Sequence, residues 1–134
     1  MREEALLEMS AEDIERYGRI IGVDVSGKRT KRQKADAIAE ARARTATVCV
    51  LGLPCEVPIR RMHDKRVTDL LAKRARTDED YMAVMRAALG DDQYASVMER
   101  ATDEDGTVDN DALGLAYTQI VESDELKNYS SSRA

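Results

Sequence analysis

The strand-forming pattern of this chain is confined to one short stretch, and proline punctures it twice. Thr47-Val48-Cys49-Val50-Leu51 is a β-branched run, Gly52-Leu53-Pro54 interrupts it, and Cys55-Glu56-Val57-Pro58-Ile59 resumes it. The pair reads as a hairpin. Pro54 and Pro58 have no backbone N–H to give, so the second strand must be an edge strand and the sheet must have few strands. Helices are left to build the rest of the fold. They must do so without Phe or Trp, because the aromatic content is five tyrosines (Tyr17, Tyr81, Tyr94, Tyr117 and Tyr129), so packing rests on Leu, Ile, Val, Met and Ala. The expected class is α+β, mainly helical.

Helix signals flank the hairpin on both sides. Ser10 with Asp13 resembles a capping box, Ile14, Tyr17 and Ile21 recur at helical spacing, and Gly22 supplies the stop. After the extended connector from Val23 to Arg29, Thr30 with Gln33 gives a second capping signal, and Ala35, Ile38 and Ala39 form a narrow stripe ending near Arg44. The head is therefore helix, extension, helix, over residues 1–44. Beyond the hairpin about four helices are expected. Val67, Leu70 and Leu71 mark the first, and Thr77 caps a second carrying Tyr81, Val84, Met85, Ala88 and Leu89 up to Gly90. Tyr94, Val97, Met98 and Ala101 mark the third. After the turn from Asp103 to Gly106, Leu113, Ala116, Tyr117, Ile120 and Val121 mark the fourth. This second domain is expected over 45–126, and the polar end, 127–134, is expected to be a disordered tail.

Charge divides along the same line. From Met1 to Arg44 there are ten Lys or Arg against nine Asp or Glu, and from Thr45 onward 11 against 17. Bases concentrate between Lys28 and Arg44, where seven stand against two acids. An N-terminus opening on Arg2, Glu3 and Glu4 has no signal-peptide run, and no segment nears the roughly 20 apolar residues that span a bilayer. A cytoplasmic location and no membrane partner are expected.

Catalytic and metal chemistry find little to work with. His63 is the only histidine and sits beside Asp64 at a helix start, which suits an exposed or capping role better than a base. Cys49, Cys55 and His63 lack a fourth ligand at a familiar spacing for zinc. Which way the cysteines face depends on the turn: a three-residue loop, Leu51 to Leu53, sets them opposite, and a two-residue turn at Gly52 and Leu53 sends them to opposite faces. Free thiols are expected either way. Around Gly106 the acids hint at a calcium loop, but Ala101 and Ala112 occupy its first and twelfth ligand places. No catalytic residue, metal or cofactor is expected, and the chain is expected to bind a partner rather than to act as an enzyme. Tyr81, Met82, Tyr94 and Met98 are the expected partner contacts, since Met adapts to irregular apolar surfaces and Met82 falls off its helix's main stripe.

Two stretches resemble known families. Ser10-Ala11-Glu12-Asp13-Ile14, Gly22-Val23-Asp24-Val25 and Ser26-Gly27-Lys28-Arg29-Thr30-Lys31, followed by Ile38, resemble the helix-extension-helix modules of the SAP and LEM-like group over Met9 to Ala41. Many members of that group bind DNA through bases around the extension. The resemblance implies weak, non-specific phosphate contacts by Lys28, Arg29, Lys31, Arg32 and Lys34.

From Thr45 to Leu126 the chain resembles the tail assembly chaperones of long-tailed, non-contractile bacteriophages and prophages. The match rests on the hairpin, the helix through Leu70-Leu71, the string Met85-Arg86-Ala87-Ala88-Leu89-Gly90-Asp91-Asp92-Gln93-Tyr94, and a glycine-containing turn before the last helix. This likeness implies binding of the tape measure protein and delivery of tail tube protein to it; apart from the likeness, a homo-oligomer is a further partner option. The alternative is a small nucleic-acid-binding protein that uses the basic head.

Overall fold

The computed structural model describes residues 1–129. Its order is α1 (Glu3–Glu8), α2 (Ala11–Ile21), α3 (Lys31–Arg42), β1 (Thr45–Val50), β2 (Leu53–Pro58), a 3-10 turn (Ile59–His63), α4 (Lys65–Leu71), α5 (Asp78–Arg100), α6 (Asn110–Val121) and a second 3-10 turn (Asp124–Leu126). The fold is mainly helical α+β. It divides into two compact units, Met1–Arg44 joined by Asn128 and Tyr129, and Thr45–Lys127.

In the first unit α2 and α3 begin where a side chain answers their free N–H groups, whereas α1 has no side-chain cap. Ser10 accepts from the Asp13 amide at 3.1 Å, while Asp13 turns to Arg16 instead of closing a reciprocal box. Thr30 and Gln33 do form the reciprocal box at α3. Gly22 ends α2 with φ 84°, the left-handed cap its lack of a Cβ permits. Ile14, Val25, Ala35 and Ile38 then meet in one apolar cluster, completed by Leu6. Leu6 belongs to α1, a six-residue helix that the sequence reading missed because it is too short to show a periodic stripe. Chain passage between α2 and the extension is close enough that a Cβ on Gly18 would lie 2.5 Å from the Val23 carbonyl oxygen.

In the second unit β1 and β2 pair antiparallel with Val50 opposite Leu53 and Cys49 opposite Pro54. The turn is two residues long but sits at Leu51 and Gly52, one position earlier than the two-residue option considered from sequence. Both residues have positive φ, 50° and 83°, the type I′ geometry that matches strand twist. Ala46, Val48 and Val50 face inward together with Cys55 and Val57. Cys49 and Cys55 therefore lie on opposite faces, one exposed and one buried. Burial, and secondarily Cys49, pushes the Cys55 thiol up. A thiol reagent is expected to modify Cys49 promptly and Cys55 only on unfolding. Equal rates for both thiols in the native protein would refute this placement.

Helix α5 carries Gly90 at φ 78° and ψ 165°, so its hydrogen-bonded run is kinked into the two expected helices. Past the kink, the Gln93 side chain reaches β2: its Oε1 accepts from the Glu56 amide at 2.7 Å and its Nε2 donates to the Glu56 carbonyl at 2.8 Å. The tail expected from Lys127 onward needs correction. Tyr129 is 3% exposed and its carbonyl accepts from Arg44, so order reaches at least that residue. Residues 130–134 of that expectation lie outside the described ones.

Candidate partner-binding cleft

Helices α5 and α6 start under strong caps. Thr77 forms a reciprocal capping box with Asp80, and Asp109 accepts from the amides of Asp111 and Ala112. The two first turns flank a cleft of about 380 Å³ lined by Arg76, Asp78, Tyr81, Met82, Met85 and, across it, Asn110, Leu113, Gly114, Tyr117 and Thr118. Tyr81 and Tyr117 meet edge to face with centroids 4.7 Å apart. Arg76 stacks over Tyr81 at 5.7 Å and donates to the carbonyls of Leu71 and Lys73, so its charge is held at the cleft's rim. Met85 is the buried floor and Met82 the half-buried wall.

Two of the four expected contacts, Tyr81 and Met82, thus share the cleft. Tyr94 and Met98 lie beyond the Gly90 kink and do not line it. Tyr94 is half-buried with the Arg86 guanidinium 5.9 Å from its ring, and Met98 is half-buried in the last turns of α5. Leu113 and Tyr117 were legible as a helix stripe but not as cleft residues, because only the pairing of α5 with α6 decides which part of a stripe stays uncovered.

In the first unit Lys28, Arg29, Lys31 and Arg32 are exposed, but Lys34 is not available to a phosphate. It is 7% exposed, and its Nζ donates to the carbonyls of Lys28 at 2.7 Å and Val25 at 3.4 Å, with Glu15 at 3.7 Å. The reason is its position. Lys34 follows the capping box on the inward side of α3, beside Ala35 and Ile38, so its stem is covered and its ammonium finds the extension's carbonyls.

His63 closes the first 3-10 turn as an exposed residue, and the capping role belongs to its neighbour Asp64, which accepts from the Arg66 amide. Among the described residues no group of His, Cys, Asp and Glu side chains is arranged to hold a metal ion, and no helix is long and apolar enough to cross a membrane. Comparison with known protein families, with curated proteins and with solved structures finds no match for this chain.

Proposed function

We propose that the unit Thr45–Lys127 is a binding module of the tail assembly chaperone type, which takes an apolar helical segment of a client into the cleft between α5 and α6. The supporting observation is the cleft itself, where Tyr81 and Met82 of α5 face Leu113 and Tyr117 of α6 across an adaptable apolar lining. The first turns of α5 and α6 set Asp78, Glu79 and Asp111 against the single Arg76 at the rim, an acidic excess that favours a client segment with bases beside its apolar face. The resemblance of this unit to phage tail chaperones makes the tape measure protein the client and the tail tube protein the subunit delivered to it.

Co-expression tests this. The full chain is expected to keep the tape measure protein in the supernatant, and Tyr117→Ala is expected to lose that effect while remaining folded. A tape measure protein that stays insoluble with the wild-type chain, or is rescued equally by Tyr117→Ala, sinks the proposal.

A second reading rests on the four exposed bases of the extension and α3. Any DNA binding there is expected to come from phosphate contacts alone and to fall steeply between roughly 50 and 200 mM salt. Changing Lys28, Arg29, Lys31 and Arg32 together to Ala should abolish it. Binding that survives this change, or that prefers a sequence at physiological salt, favours a nucleic-acid-binding protein over a chaperone.

A further inference from the structure

The first unit is not continuous in sequence. It runs from Met1 to Arg44 and is rejoined by Asn128 and Tyr129 only after the whole second unit has intervened. The two stretches meet at the C-terminal end of α3. Arg42 is the last residue of that helix and its Nη1 donates to the Met1 carbonyl, while Nη1 of Arg44 donates to the Tyr129 carbonyl. Two arginines one residue apart therefore hold backbone that precedes the second unit and backbone that follows it.

Tyr129 is buried on its own account. Lys127 and Asn128 before it are exposed, and no helix or strand includes these three residues, yet Tyr129 is 3% exposed. A side chain of this kind removes about 150–250 Å² from water when it is buried. That area weighs more in the first unit than it would in the second. Met1–Arg44 contains neither cysteine, and its cluster of Leu6, Ile14, Val25, Ala35 and Ile38 has only the partly covered Tyr17 as an aromatic neighbour. A unit this short, with no disulfide, sits at the size where a core alone scarcely holds a fold. The second unit is longer and has Val84, Met85, Leu89, Val97 and Ile120 fully inside.

We propose that Asn128 and Tyr129 form a clasp on the first unit, so that order in α2, the extension and α3 is conditional on a segment that follows the second unit in the chain. The clasp is the Arg44 bond together with the covered Tyr129 side chain, and it uses no residue of the cleft. Trimming of the chain past Tyr129 by a carboxypeptidase is then a switch: it loosens the unit distant in sequence and leaves the adjacent one as it was. Because the exposed Lys28, Arg29, Lys31 and Arg32 belong to the part that loosens, the switch acts on the basic surface and not on client capture.

Amide hydrogen exchange tests the clasp in the full chain, in full-length Tyr129→Ala, and in chains that stop after Lys127 or after Tyr129. Amides of α2 and α3 are expected to exchange at least about tenfold faster in Tyr129→Ala and in the chain ending at Lys127, while those of Val84, Val97 and Ile120 keep their rates. The chain ending at Tyr129 should match the full chain throughout.

Unchanged exchange in α2 and α3 overturns the proposal. So does a loss of protection shared equally by both units, which would make Tyr129 a support of the whole chain, and so does a chain ending at Tyr129 that loosens as much as one ending at Lys127.

Discussion

Met85→Ala is expected to lower the thermal midpoint of the chain sharply, and Met82→Ala is expected to barely move it. Both residues touch the cleft, but Met85 is 1% exposed beneath it and Met82 is half-buried in its wall. Removing a buried Met side chain forfeits its transfer energy and leaves a void, a loss of about 2–5 kcal/mol. At the cleft wall the void opens to water, and the loss should be about 1 kcal/mol or less. Client capture should show the reverse order once stability is accounted for, with Met82→Ala weakening it in a folded protein. Thermal unfolding and co-precipitation of the two variants read both quantities. If Met82→Ala destabilises as much as Met85→Ala, or captures client like the wild type, Met82 is a core residue and not a contact.

Gly90→Ala should be nearly as damaging, for a different reason. At φ 78° and ψ 165° this backbone lies in a region that only glycine occupies without strain. A Cβ would also stand 3.2 Å from Nη1 of Arg61, the same nitrogen that donates to the Ala88 carbonyl one turn end away. Backbone strain alone costs about 1–3 kcal/mol, and displacing Arg61 adds the loss of a bond to a carbonyl at the kink. Gly114→Ala provides the contrast, since nothing lies within 4 Å of its Cβ position in α6 and alanine favours a helix by about 1 kcal/mol. Urea unfolding should move in opposite directions for the two variants. Equal stability of Gly90→Ala and wild type would mean that the kink does not depend on glycine.

Local signals were the most legible from sequence. Ser10, Thr30 and Thr77 mark helix starts by chemistry that acts over three residues, and Gly22 and Gly90 mark breaks because glycine takes a positive φ without the steric cost of a Cβ. Prolines at 54 and 58 likewise define an edge without reference to anything distant. What escaped reading depends on contacts between elements far apart in the chain. Gln93 looks like any helix-surface amide until β2 is placed beside it, and its two bonds to Glu56 span 37 residues. The cleft posed the same difficulty: Tyr81 and Met82 could be picked out on one helix, but their opposite wall belongs to α6. Lys34 misled because a base in a basic run resembles its neighbours, while a single helical position turned it inward.

That inward turn changes what the extension is. With the Lys34 ammonium held by the carbonyls of Val25 and Lys28 and by Glu15, the segment between α2 and α3 is wrapped around a cation in the manner of an ion-binding loop. The ion here is supplied by the chain and tethered to the helix that follows. The cation that the carbonyls of Val25 and Lys28 surround is therefore part of the same helix as the α3 capping box. The inward turn also makes one amine in a basic cluster chemically unlike the rest: acylating agents that modify Lys28 and Lys31 in the folded chain must open the loop before they reach Lys34.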